Sequence, residues 1–218
     1  MQFIAYTKLM RIDKPIGSLL LLWPTLTALW IASQGQPPPE MVIIFVFGSI
    51  VMRSAGCVIN DFADRDLDGE VERTKSRPLP TGEVKPIEAI VLFLVLSLCG
   101  ATLLIFLNRF TQLLALLALF IIVLYPFSKR WTRLPQLVLG IAFSWGILMA
   151  WSATTNELTP IPLVLFSTSI IWIIAYDSLY AMIDREDDLS IGIKSSAILF
   201  GNKAHLIIVT LMFFTVLG

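Results

Sequence analysis

Long apolar stretches punctuated by short polar ones set the pattern of this chain. Residues 16–34, 41–59, 87–107, 111–127, 135–153 and 161–183 run almost wholly apolar, with charges gathered at their ends. A helix needs about 20 apolar residues to cross the hydrocarbon core of a bilayer, so each run predicts a membrane span. A seventh run opens at Ala204 and is still apolar at Gly218. That is roughly 15 residues, short of a full crossing. The pattern predicts an all-α, polytopic membrane helix bundle forming one domain over residues 1–218, cut within its seventh helix. A membrane β-barrel would show short alternating segments instead. Lys8, Arg11 and Lys14 give the first span the basic start of a signal peptide, but five further spans argue that this helix is retained.

Composition sharpens the picture. The 218 residues are 56% hydrophobic and 15% charged, with mean hydropathy +0.81. A soluble domain carries about a quarter charged residues. Sixteen basic residues balance sixteen acidic ones. No basic stripe for nucleic acid is expected from that balance. Two Cys and one His argue against a zinc or haem centre. Gly140 and Ser144, four residues apart, offer a face for close helix packing.

Charge placement orients the bundle. Fourteen of the sixteen Lys and Arg fall into four polar segments. These are Lys8, Arg11 and Lys14; Arg65, Arg73, Lys75, Arg77 and Lys85; Lys129, Arg130 and Arg133; and Arg185, Lys194 and Lys203. The intervening connections carry only Arg109. Basic residues collect on the cytoplasmic side, so the N-terminus and these segments are expected there.

Acidic residues follow the same side, although they do not set topology. The first cluster lies in NDFADRDLDGE, residues 60–70. On a continuous helix Asn60, Asp64 and Asp68 share one face, drifting about 40° per step, with Asp61 beside them. Tyr180, Asp184 and Asp188 repeat that spacing. Carboxylates four apart on a helix repel, and a divalent cation is the economical way to hold them. All the donors are oxygen, which suits Mg²⁺ or Ca²⁺. Mg²⁺ commonly completes its shell with substrate phosphates. Arg73, Lys75, Arg77, Lys129, Arg130 and Lys194 lie nearby in sequence. Together these groups describe a diphosphate site at a membrane surface.

Two charges sit inside spans. Arg53 precedes Asn60 by seven residues and Asp177 precedes Asp184 by seven, so each falls about two turns deeper on the face of its own cluster. Neither should face lipid. They are expected either to pair with each other or to serve a ligand, Arg53 by holding a carboxylate. A transporter would place its acids near the midplane at broken helices, whereas most acids here sit at span ends.

Asn60-Asp61-x-x-Asp64-x-x-x-Asp68 and Tyr180-x-x-x-Asp184-x-x-x-Asp188 resemble the two aspartate-rich motifs of the UbiA superfamily of intramembrane aromatic prenyltransferases. KPIGSLLLLWPTLTALW (14–30), RTKSRPLPTG (73–82), YPFSKRWTRLPQLVLG (125–140) and IGIKSSAILFG (191–201) resemble the branch that prenylates 4-hydroxybenzoate for ubiquinone. The resemblance implies nine transmembrane helices in a bacterial inner membrane, of which this chain covers about six and the start of a seventh. It implies transfer from polyprenyl diphosphate to the ring carbon ortho to the hydroxyl of 4-hydroxybenzoate. It implies Mg²⁺ held by Asn60, Asp61, Asp64, Asp68, Asp184 and Asp188, with Asp64, Asp68, Asp184 and Asp188 central to catalysis. Arg73, Arg77, Lys129, Arg130 and Lys194 are expected on the diphosphate, and Arg53, Asp177 and Tyr180 on the aromatic acid. Other acceptors used within the superfamily, such as homogentisate or haem, stay open.

Overall fold

The computed structural model describes residues 2–190 and 192–217. Ile191, which heads the run 191–201, and Gly218, which ends the seventh apolar run, lie outside the described residues. All the regular structure described is helical. A short N-terminal helix α1 (Gln2–Leu9) leads into α2 (Ile16–Ala32), α3 (Pro39–Asp68), α4 (Pro86–Leu103) and α5 (Arg109–Leu124). The small α6 (Ser128–Trp131) precedes α7 (Pro135–Thr155) and α8 (Pro160–Ile183), and α9 (Arg185–Ser190), α10 (Ser196–Phe200) and α11 (Ala204–Leu217) follow. Proline opens α3, α4, α7 and α8. At that position its missing N–H costs no helical bond and its fixed φ suits the first turn.

Six helical stretches are long and apolar enough to cross a membrane: Pro39–Asp68, Pro86–Phe106, Arg109–Trp131, Pro135–Thr155, Pro160–Ile183 and Ser196–Leu217. The first expected span, α2, is shorter at 17 residues. The run near Ala204 gains its length from α10 and a 3₁₀ turn that precede it, joined at Gly201.

α7 is the central helix. It packs against α2, α5 and α8, while α3 packs against α2 and α4, and α11 against α8. Small residues allow the close contacts. A Cβ on Gly140 would lie 3.3 Å from the Ile170 carbonyl oxygen of α8. One turn on, Ser144 donates to Ser169 of α8 at 2.9 Å. The Gly140–Ser144 face therefore serves packing within the chain. Outward-facing Leu94, Val95 and Leu98 of α4 and Leu116 and Phe120 of α5 are exposed. Apolar surface of this extent suits lipid rather than water.

The two ends of the bundle differ. Where α5 begins and α7 ends, neutral groups satisfy one another: Asn108 caps α5 through the Thr111 N–H and donates to the Ser152 carbonyl at 2.6 Å. The opposite end gathers the charges.

Candidate functional site

α3 continues unbroken for 30 residues to Asp68, and this carries the first cluster on one helix as the spacing predicts. The chain then doubles back through residues 69–85. The Thr74 hydroxyl donates to the Asp68 carbonyl at 2.8 Å and ties this return to the helix end. The return brings Arg73 and Arg77 over the carboxylates.

Asp61, Asp64 and Asp68 are all buried. Each is met by a cation. Lys129 of α6 donates to Asp64 Oδ2 at 2.6 Å. Arg77 Nη1 donates to Asp68 Oδ2 at 2.6 Å and to Asp61 Oδ1 at 3.0 Å. Arg11, which follows α1, donates through Nη2 to both oxygens of Asp61, at 3.0 and 2.9 Å. Three acids thus face three cations. Cations of the chain itself already offset the repulsion that suggested a divalent ion from sequence. Asp66 points away, exposed, with only Arg65 at 3.4 Å.

The second cluster departs from its expected geometry. α8 ends at Ile183, and Asp184 sits at a bend with φ −88° and ψ 4° before α9 begins. Tyr180, Asp184 and Asp188 are therefore not on one continuous helix. Four acids between 184 and 188 would oppose the negative end of the α8 dipole. Restarting the helix puts Glu186, Asp187 and Asp188 in the first turn of α9, where the dipole favours them. The Asp188 N–H still donates to the Asp184 carbonyl at 2.9 Å.

The 69–85 return also binds this second cluster. Arg73 donates from Nε to Asp184 Oδ1 at 2.9 Å and from Nη2 to Oδ2 at 2.5 Å, a forked contact. That hydrogen bonding holds the Arg73 guanidinium above its ordinary pKa. The Glu72 N–H donates to Asp187 at 3.3 Å. Burial pushes the Asp188 carboxyl above the usual carboxylate range. Asp188 shares a cleft of about 330 Å³ with Arg133 and Lys194.

Two of the five expected diphosphate cations serve main-chain oxygens. Arg130 donates to the Ala63 carbonyl at 3.1 Å, and Lys194 to the Arg130 carbonyl at 3.3 Å. They fasten α6 to α3 and the 192–195 segment to α6.

Deeper in the bundle, the expected alternative of an Arg53–Asp177 ion pair is not found among the described residues. Arg53 Nη1 donates to Cys57 Sγ at 2.7 Å, its guanidinium lies 5.1 Å from the centre of the Phe143 ring, and its Nε is buried without a partner. Gly17 of α2 packs so close that a Cβ there would touch Nη2 at 2.8 Å. Asp177 lies beside Gln136 of α7. The Tyr176 hydroxyl is buried and unpartnered, while Tyr180 is largely exposed. Neither Arg11 nor Tyr176 stands out in the sequence: Arg11 is one of many basic residues that topology explains, and Tyr176 lies within an apolar run.

Among the described residues no three acids converge to form a ready metal site. The donors nevertheless fit a hard divalent cation. They are all oxygen, and Asn60 Oδ1 is buried on the cluster's face with no partner. Asp64 and Asp68 each keep one oxygen out of their ion pairs.

The model of the UbiA prenyltransferase family matches residues 21–218. The chain is 57% identical over 207 residues to a 4-hydroxybenzoate octaprenyltransferase of Psychromonas ingrahamii, covering 95% of this chain and 72% of the relative. It is 56% identical to one of Vibrio campbellii, covering 98% and 77%, and 55% identical to one of Coxiella burnetii, covering 93% and 71%. The fold is similar to the apo structure of a UbiA homolog from Aeropyrum pernix K1, with TM-score 0.81, 26% identity and coverage of 91% of this chain and 75% of that one. It is also similar to a UbiA homolog from Archaeoglobus fulgidus bound to DMAPP and Mg²⁺, with TM-score 0.79, 19% identity and coverage of 97% and 75%. A match over nearly the whole chain, joined to two facing acid clusters at one end of a helix bundle, places this chain in the UbiA prenyltransferase family.

Proposed function

We propose that this chain transfers a polyprenyl group from polyprenyl diphosphate to the ring carbon ortho to the hydroxyl of 4-hydroxybenzoate, a step of ubiquinone biosynthesis. The observation that carries the reading is the 69–85 return. It places Arg77 on one acid cluster and Arg73 on the other, so groups for a metal–diphosphate meet at one membrane-facing end. The relatives at 54–57% identity carry that activity in their names.

Asn60, Asp64, Asp68, Asp184 and Asp188 would hold Mg²⁺. When bound, Mg²⁺ supplies positive charge that stabilises the leaving diphosphate. Arg73 and Lys129 turn from their carboxylates to the diphosphate oxygens as substrate enters, and Arg77 leaves Asp68 while Asp61 still holds it. Arg130 and Lys194 support this by fixing α6 and the segment before α10. The allylic C–O bond breaks with its electron pair leaving on the diphosphate. The ring carbon attacks the allylic cation, a C–C bond forms, and loss of the ring proton restores aromaticity.

Arg53 takes the carboxylate of the aromatic acid. A guanidinium whose Nε is buried without a partner is costly in a membrane span unless a ligand meets it. Asp177 and Tyr180 complete the acceptor's surroundings from α8. Surrounding lipid and apolar helices keep water from quenching the cation. We place the N-terminus and both clusters on the cytoplasmic side of a bacterial inner membrane, because the basic segments lie at that end.

The test is incubation of the membrane-embedded chain with Mg²⁺, an allylic diphosphate and a panel of aromatic acids. Mass spectrometry should show a C-prenylated 4-hydroxybenzoate and no product from homogentisate. Product from another acceptor alone would overturn the assignment.

A further inference from the structure

Asp61 differs from its neighbours in one respect. Both of its oxygens are engaged, by Arg11 and Arg77, whereas Asp64 and Asp68 each leave an oxygen available. It is 1% exposed, and its two arginines are themselves mostly covered. An acid so enclosed has no oxygen free of an ion pair to offer a metal. Its neighbour Arg77 has two duties: Nη1 reaches Asp61 and Asp68 together. Release of Asp68 toward a metal would leave Arg77 anchored by Asp61 alone.

Arg11 comes from outside the two motifs. It follows α1 in a left-handed backbone conformation, φ 58°, which most side chains avoid. Its Nη1 bonds the Lys8 carbonyl at 3.0 Å, so the guanidinium is fixed from its own segment as well. Ala5 and Leu9 of α1 are buried in the cluster formed by Ala55 and Val58 of α3 and by Val84 and Ala89. The N-terminal helix is thus a brace, and Arg11 is the polar end of it.

We infer that Arg11 and Asp61 are positioning residues that aim Arg77 at the diphosphate, and that Asp61 is not a metal ligand. Arg11 neutralises Asp61, which lets Asp61 hold Arg77 without drawing its whole charge away from the substrate. This rests on the prenyl-transfer reading above and gives Asp61 a different part from the one its motif suggests.

The experiment measures equilibrium binding of geranyl thiolodiphosphate, an unreactive analogue, to the full chain in lipid nanodiscs with Mg²⁺ titrated. Arg11→Ala should weaken binding by on the order of tenfold, since a charge-assisted contact is being misaligned. Arg77→Ala should weaken it at least as far, and the double variant no further than Arg77→Ala alone. Arg11→Lys keeps the charge and should recover most of the loss, and it also serves if the alanine variant fails to accumulate. Asp61→Asn should leave the Mg²⁺ concentration at half-saturation within about twofold of wild type, whereas Asp68→Asn should raise it well beyond that. Full retention of the Arg11→Ala factor in the Arg77→Ala background would overturn the inference. So would an Asp61→Asn shift in Mg²⁺ requirement as large as that of Asp68→Asn. Wild-type chain that bound no analogue at all would sink the prenyl-transfer reading and this inference with it.

Discussion

The two acid clusters share a spacing and are held by opposite means. The first lies on the unbroken end of α3, buried, with Lys129, Arg77 and Arg11 supplying a cation for each acid. The second straddles the break between α8 and α9 and among the described residues is ion-paired by Arg73, whose side chain is half exposed. In the first cluster the fold depends on the charges, because buried ions need partners. In the second, the helix dipole and a half-exposed arginine carry much of the load. The proposed chemistry uses both clusters, but only the first should be tied to stability. Each cluster is thus a test of the other.

The largest effects should come from removing single acids. Asp64→Ala and Asp184→Ala should each cut turnover by roughly 10³-fold, the scale at which loss of charge stabilisation in a reacting site is felt. The stability outcomes should part. Asp64→Ala removes the ion-pair partner that Lys129 meets at 2.6 Å, and breaking a buried pair costs about 3–5 kcal/mol, nearer the low end here because Lys129 keeps some exposure. Asp184→Ala frees an arginine already half in solvent and should cost about 1 kcal/mol or less. Thermal unfolding of both variants in the same lipid decides the matter. Equal losses would break the comparison.

Arg53→Ala should come next. The apparent KM for 4-hydroxybenzoate should rise about 10–100-fold, the range of a charge-assisted contact. The KM for the polyprenyl diphosphate should stay within about twofold, because Arg53 lies two turns below the clusters. Preference for the acid over an uncharged analogue should fall in steady-state kinetics. If the diphosphate KM rose instead, Arg53 would belong with the cations of the first cluster.

Much of this was legible in the chain. The apolar runs mark most helices to within a few residues, because a membrane span must satisfy its backbone internally and has little freedom of form, while α3 continues nine residues beyond its run to Asp68. The single face of Asn60, Asp64 and Asp68 follows from α3 staying helical to Gly69. The break at Asp184 was hidden, because the spacing of 180, 184 and 188 is the same whether or not the helix bends. Crowding of acids at a helix end was the available signal. Ion pairs such as Arg11–Asp61 join residues fifty positions apart, and nothing local announces them. The main-chain contacts of Arg130 and Lys194 are likewise invisible in the chain, because charge can be read from sequence and a main-chain partner cannot.

The smallest effect should come from Asp66. It sits in the middle of the first motif by sequence, yet it falls about 120° off the shared face. The structure agrees: its side chain is 81% exposed and meets only Arg65, at 3.4 Å. An exposed pair of this kind is worth about 0–1 kcal/mol. Asp66→Asn should therefore keep kcat, both KM values and the unfolding temperature close to wild type, with changes of about twofold or less in rate. The variant isolates position from charge, since it removes one carboxylate from the motif while leaving the face intact. Its acidic neighbours Asp64 and Asp68, two residues away on either side, should lose nearly everything under the same substitution to Asn. If Asp66→Asn were as damaging as Asp68→Asn, the motif would act through its summed charge at the membrane surface. The separate pairing of each acid seen on α3 would then have no bearing on catalysis.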